Sequence, residues 1–344
     1  METRRDSAFP YARGILEGCC KPLLMPGAVN QSMTSPIQTI CVIGHGAMGA
    51  AYASILYTMD KNCVSFLAGG ERFNRLHREG VIVNGSRYAI PVLRPEDGSA
   101  PSDLLIVAVK HHHLEAAIRE MANRVGKNTT ILSVMNGIES EERIGAAYGM
   151  DTVLYAIAVG IDAVRVGNRV SSANRGKILF GEAKNPRLTD RVKRVQALFD
   201  RAGIPYETPP DMVRTLWWKF MINVGINQAS AALRAPYSVF QTSPEARELM
   251  ESAMREVMVL ANKANVHLSE TDLAQWYTIL ASLNPVGKTS MLQDVEAGRK
   301  TEVEMFAGKV IELGRRYNVP TPVNERLFHL IKEIEGSYER EGAG

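Results

Sequence analysis

No apolar run in this 344-residue chain reaches the roughly 18 to 20 residues that a membrane-spanning helix needs. Cysteine is scarce as well. Of the four, Cys41 and Cys63 fall in predicted strands, where a thiol behaves as a small hydrophobe, while Cys19 and Cys20 are adjacent and poorly placed to bridge. The sequence has neither zinc spacing nor a disulfide framework, so it reads as a protein of a reducing, cytoplasmic setting with no metal site and no membrane partner. The net charge of +3 is small and no Lys/Arg stripe interleaves with aromatics, which argues against a nucleic-acid partner. With 45% hydrophobic and 22% charged residues the composition excludes disordered and fibrous classes, and the length suits two domains. Residues 1–34 stand apart. Lacking a continuous apolar segment and mixing Glu2, Asp6 and Glu17 among the arginines, they fit neither a secretory signal nor a transit peptide. They read as either a disordered extension or a start assigned too early.

What the chain does have is Ile40-Cys41-Val42-Ile43 followed at once by Gly44-His45-Gly46-Ala47-Met48-Gly49, an apolar strand feeding a GxGxxG turn. Gly44 permits the tight turn, Gly46 lets backbone approach a pyrophosphate, and Gly49 lets the next helix sit close to the strand. That helix begins near Ala47 and Met48 and aims its N-terminal amides and positive dipole end at phosphates. His45 reads as a phosphate or solvent contact rather than an acid or base. Alone the motif is weak. Here a helical stretch over 50–59 and a second apolar strand over 63–68 complete a βαβ unit, the setting of a dinucleotide-binding domain.

The choice of dinucleotide turns on the end of that second strand, where an NAD site places an acid for the ribose hydroxyls. This chain reads Phe66-Leu67-Ala68-Gly69-Gly70-Glu71-Arg72, with no acid at the strand end and a cation just beyond. A guanidinium at Arg72 can fork onto a 2′-phosphate, so NADPH/NADP+ is the expected cofactor.

Further along, 80–83 and 88–92 flank an Asn84-Gly85 hairpin signal, and 103–110 reads as a buried parallel strand. A helix over 113–125 and a strand over 130–134 follow. Strands over 153–159, 169–172 and 177–181 continue the sheet, and a helix covers 190–202. The dipeptide Pro209-Pro210 marks a change to helical periodicity over 211–232, 243–264, 270–283, 291–298, 301–317 and 323–335. The expected architecture is an α/β Rossmann-type dinucleotide-binding domain over 35–209, followed by an all-α domain over 210–337 and a flexible tail over 338–344. A substrate would meet the nicotinamide in the cleft between the domains.

In the first helix past the boundary, Lys219, Asn223 and Asn227 recur every four residues among apolar neighbours. Each such step turns the helix by only about 40°, so a cation and two amides share one stripe that a core partner or a ligand must satisfy. A second stripe holds Ser290 and Asp294, with Glu302 eight residues on, past a loosening Gly298. A carboxylate beside Lys219 would keep its ammonium charged. The triplet His111-His112-His113 reads as a loop near the cofactor, because consecutive loop residues point different ways and no ligand spacing accompanies them.

Taken in order, these stretches resemble the ketopantoate reductase family over about residues 38–335. The likeness rests on Ile43 to Gly49, Val107-Ala108-Val109-Lys110, Met135-Asn136-Gly137, Leu216 to Asn223, Ser290 to Asp294, Glu302, and Pro320-Thr321-Pro322-Val323-Asn324. The resemblance implies that Lys219 donates a proton to the substrate oxygen as hydride reaches the carbonyl carbon, and that Glu302 orients the site. It implies that Asn223, Asn227 and Ser290 bind substrate with Asp294 in support, and that Lys110 and Asn136 lie on the cofactor side. The chain departs from the family at Gly69, where an arginine often stands, and at Tyr237 and Gly287, where well-matched members carry asparagines. The expected activity is NADPH-dependent reduction of a 2-oxo acid, ketopantoate first, by a cytoplasmic monomer or homodimer. The alternatives are a reductase of another 2-oxo acid or ketone, or a non-catalytic NADPH-binding sensor.

Overall fold

The computed structural model describes residues 35–341 apart from residues 99 and 173, and the readings made for residues 1–34, Cys19 and Cys20 included, lie outside these. Twelve strands are described: β1 (Ile40–Ile43), β2 (Val64–Leu67), β3 (Val81–Val83), β4 (Ser86–Tyr88), β5 (Val92–Leu93), β6 (Leu104–Val107), β7 (Thr130–Ser133), β8 (Val153–Ile161), β9 (Val164–Val166), β10 (Arg169–Ser171), β11 (Arg175–Gly181) and β12 (Tyr206–Glu207). Eight of them form one sheet in the order β12-β11-β8-β7-β6-β1-β2-β5. Its pairs are parallel except β8 against β11. Every residue of β1, β6 and β7 is buried, as in strands covered on both faces, and β1 and β6 are continuous apolar runs. Helix α1 (Ala47–Met59) crosses from β1 to β2, whereas β6 lies on the other side of β1. The winding therefore reverses at β1, and a doubly wound sheet opens its binding crevice at the carboxyl ends of the strands beside that reversal.

The segment around 169–172, expected in this sheet, pairs elsewhere. β10 joins β3 in parallel and β9 in antiparallel register, making a second sheet in the order β4-β3-β10-β9. With one buried residue, Val170, β10 lacks the apolar content of a central strand. The strand expected over 103–110 stops at Val107, and the helix expected over 113–125 is a single turn over His111–His113, then α3 (Leu114–Glu120), then another turn over Ala122–Arg124. Helix α5 (Asp190–Ala202) lies where the periodicity placed it, α2 (Gly70–Glu79) follows β2, and α4 (Ser140–Tyr148) is an addition.

From Met212 onward every described element is helical: α6 (Met212–Ile222), α7 (Gln228–Leu233), α8 (Tyr237–Thr242), α9 (Pro244–Lys263), α10 (Glu270–Ser282), α11 (Ser290–Glu296), α12 (Lys309–Tyr317) and α13 (Pro322–Glu341). The single helix expected over 211–232 is interrupted by a wide turn, Asn223–Asn227, and a second wide turn, Glu304–Gly308, precedes α12. The i→i+5 bonding of such turns marks many functional sites. Gly225 makes the first one packable, since a Cβ there would lie 2.5 Å from two atoms of the Met254 side chain on α9. Gln228 joins the two turns, its Oε1 accepting from Ala307 N at 3.0 Å. Helix α13 runs through Glu341, where a tail was expected from 338.

Sheet and helices meet through Ile157 of β8 and Leu179 of β11, packed against Met212 and Leu216 of α6. Burying each such side chain contributes about 1.5–3 kcal/mol, which seats the first two turns of α6 on the sheet. Asp211 starts the helix, its side chain accepting from Arg214 N at 2.9 Å. Lys219, a turn beyond Leu216, is thereby carried to β8.

Among the described residues no helix is long and apolar enough to cross a membrane, and no group of three or more His, Cys, Asp or Glu side chains is placed to hold a metal ion.

Candidate active site

A cleft of about 540 Å³ opens at the carboxyl ends of β1 and β6, and both halves of the molecule line it. The three glycines of the turn differ in what they permit. Gly44 has φ +100°, and a Cβ on it would fall 2.4 Å from Ala108 O. A Cβ on Gly49 would fall 1.8 Å from Gly44 O, so both positions need glycine for the protein's own packing. Nothing lies within 4 Å of a Cβ built on Gly46, which faces open cleft. Gly46 also precedes α1 without a side-chain cap, and the first turn of α1 carries no acid, so its amides and dipole are left for an anion.

Cations surround this turn. Arg165 of β9 donates to His45 O at 2.7 Å, and Arg75 of α2 donates to His45 Nε2 at 2.8 Å. Burial, followed by the charges of Arg165, Arg75 and Arg72, lowers His45 to about 4. The ring is therefore neutral and accepts from Arg75, a contact rather than an acid. Arg72 lines the cleft but pairs with Glu120 at 2.6 Å. A phosphate there would meet Arg72, Arg75 and Arg165 together. Arg75 lies three residues past Arg72 on one helix face, a spacing legible in the sequence. Arg165 arrives from the second sheet, and no local pattern announces it.

A hydrogen-bonded line runs from Glu302 and Asn136 in the cleft through Asn223 and Asn227 to Ser290, which lines the cleft again. Asn136, just past β7, donates to Glu302 Oε2 at 3.4 Å, and Asn223 donates to Asn136 Oδ1 at 3.4 Å. Asn227 donates to Asn223 Oδ1 at 3.1 Å, and Ser290 Oγ donates to Asn227 Oδ1 at 3.2 Å. The two asparagines are the first and last residues of the wide turn, and both are buried. Glu302 and Asp294, surface acids if read alone, are 7% and 5% exposed. Lys110 lies 2.8 Å from Asp294 and 3.6 Å from Glu302, and Arg299 donates to Asp294 at 3.0 Å. Burial works against the Lys110 charge, but Glu302 and Asp294 more than offset it, and Lys110 titrates above the ordinary lysine range.

Lys219 departs from its expected surroundings. Its Nζ donates to Ala158 O at 3.1 Å, and among the described residues no carboxylate pairs with it. Glu302 is engaged by Lys110, Asn136 and the His111 amide instead. Burial lowers Lys219 to about 8. The two departures at 237 and 287 prove to be one feature: a Cβ on Gly287 would lie 3.0 Å and 3.2 Å from ring carbons of Tyr237, whose backbone N donates to Gly287 O at 3.0 Å. The glycine makes room for the ring.

A doubly wound sheet with a glycine turn in a basic cleft, lined also by Ser290 and Glu302 of the helical half, defines a Rossmann-type oxidoreductase. Its family follows from comparison. The profile described as Ketopantoate reductase PanE/ApbA matches residues 40–185, and that for the C terminal of the same enzymes matches residues 211–335. The chain belongs to the ketopantoate reductase family. It is 26% identical to a 2-dehydropantoate 2-reductase of Aquifex aeolicus over 307 residues, 87% of this chain and 97% of that one. It is 28% identical to the enzyme of the same name from Shigella flexneri over 312 residues, 89% and 98% of the two chains. In fold it is similar to a D-mandelate dehydrogenase solved with NADH and anilino(oxo)acetate, with a TM-score of 0.79 at 20% identity over 88% of this chain and 99% of that one.

Proposed function

We propose that this oxidoreductase reduces a 2-oxo acid to the 2-hydroxy acid with NADPH, and that ketopantoate is its substrate. The observation that carries this reading is the line Glu302, Asn136, Asn223, Asn227, Ser290, with Lys219 four residues before Asn223. A 2-oxo acid has a fixed negative charge and an adjacent carbonyl oxygen, and amides, a hydroxyl and an ammonium supply the donors both require. Asn223, Asn227 and Ser290 bind and orient the acid. Lys219 gives the proton to the carbonyl oxygen, and a donor titrating near 8 is charged at neutral pH yet close enough to it to release its proton. Glu302 and Asp294 fix Lys110 and Asn136 along the cofactor side.

The cleft's own features support a dinucleotide: the open face at Gly46, the uncapped start of α1 and the arginines beside it. The nicotinamide, when bound, supplies the hydride. Three cations and no strand-end acid favour the 2′-phosphate and hence NADPH. Tyr237 and Gly287, standing where well-matched family members carry asparagines, support a second reading, in which the same chemistry acts on a different 2-oxo acid. Consumption of NADPH and NADH against a panel of 2-oxo acids tests both readings. Reduction of ketopantoate with the highest kcat/KM supports the first, preference for another 2-oxo acid supports the second, and no turnover with any of them overturns both.

A further inference from the structure

Strand β8 outlasts its neighbour. β7 pairs with it only at Ile131 opposite Val153 and Leu132 opposite Leu154, after which the chain leaves, Val134 N bonding back to Val107 O. Alternate residues of a strand present their backbone groups to the same edge, so residues 154, 156 and 158 of β8 all face the side that β7 vacates. Two side chains replace it. Glu141 Oε1 accepts from Ala156 N at 3.5 Å, and Lys219 Nζ donates to Ala158 O at 3.1 Å.

Glu141 reaches this edge from the first turn of α4 and is 2% exposed. Its other oxygen accepts from Ser140 Oγ at 2.9 Å, and Ser133 Oγ, at the end of β7, donates to Ser140 Oγ at 2.7 Å. The carboxyl is thus tied at one oxygen to the end of β7, three residues before Asn136, and at the other to β8. A buried acid kept in this setting satisfies an amide that the sheet leaves without a strand partner.

We propose that Glu141 is a positioning residue for Lys219: by holding Ala156 N it fixes the stretch of β8 whose Ala158 carbonyl receives the Lys219 ammonium. The proposal rests on the reading of Lys219 as proton donor. A displacement of about 1 Å at such a group costs up to about 100-fold in rate, so a residue that never touches substrate governs turnover.

The test compares Glu141→Ala, Glu141→Gln and Lys219→Ala for kcat, for KM toward NADPH, and for amide hydrogen exchange of Ala156. Glu141→Ala is expected to lower kcat by about tenfold or more, leave the KM for NADPH within about twofold, and speed exchange at Ala156. Glu141→Gln, whose amide oxygen still accepts, is expected to restore kcat to within about threefold and to restore slow exchange. A folded Glu141→Ala enzyme with wild-type kcat, beside an inactive Lys219→Ala, overturns the positioning and leaves the donor reading standing. Wild-type kcat in Lys219→Ala removes the donor reading and this proposal with it. Should Glu141→Ala not fold, Glu141→Asp, one methylene shorter and drawn away from Ala156 N, takes its place, and an unchanged kcat there beside faster exchange at Ala156 overturns the proposal.

Discussion

Lys110 Nζ lies 2.8 Å from Asp294 Oδ2, tying the loop after β6 to α11 at the cleft. The Asp294 side chain is 7% exposed, whereas that of Lys110 is 41% exposed, so solvent offsets part of what the pair contributes. Asp294→Asn is expected to lower the unfolding free energy by about 1–3 kcal/mol and to raise the KM for NADPH as Lys110 loses its tether. Urea unfolding and a cofactor titration measure the two effects, and no change in either contradicts the assignment.

The arginines make a specificity prediction. NADPH should bind more tightly than NADH, and Arg72→Ala or Arg75→Ala should each weaken NADPH by about tenfold with much less effect on NADH. Arg72 must release Glu120 to serve a phosphate, so Glu120→Gln is expected to tighten NADPH binding. Fluorescence titration reads each case, and a wild type that binds NADH at least as well refutes the account of the cation cluster.

Two glycines of one turn should fail differently. Gly46→Val places its branch in open cleft, so nucleotide affinity falls steeply while the melting temperature holds. Gly49→Val drives a side chain into Gly44 O, so the fold itself is lost or severely destabilised. Circular-dichroism melts beside nucleotide titrations separate them, and a Gly46→Val protein with normal affinity would relocate the phosphate site.

Much of this site is legible in the sequence. The glycine turn carries its own stereochemistry, and the Lys219, Asn223, Asn227 stripe shows through because helical periodicity is a local property. Ser290 and Glu302 gain meaning only as members of an ordered set, since their meeting with Asn136 and Asn227 depends on long-range packing. Pairing decisions are hidden for the same reason. That β10 leaves the main sheet, that β8 outruns β7, and that Lys219 settles on a carbonyl rather than a carboxylate are decided between segments remote in sequence. Glu141 carries no periodic signal, and only the vacated strand edge gives it meaning.

Burial raises Glu141 from 4.5 to about 7. Between those values the folded chain keeps a proton that the unfolded chain releases, so this contribution is fully present below pH 4.5 and is lost as pH rises to about 7. The loss is on the order of 3 kcal/mol. Glu141→Gln removes it, so the variant should gain stability relative to wild type as the buffer moves from pH 5 to pH 8. Parallel stability curves across that range would contradict the burial of an ionisable group there.

The central claim is that Lys219 delivers the proton. Single-turnover reduction of ketopantoate by wild type and Lys219→Ala, followed across pH with cofactor affinity and folding checked in parallel, tests it most directly. The account predicts that the wild-type rate falls as pH rises through about 8, because only the ammonium can donate. It predicts that Lys219→Ala loses roughly two orders of magnitude or more together with that alkaline limb, while binding NADPH almost unchanged. A folded Lys219→Ala enzyme with near-normal rate and the same pH profile would contradict it.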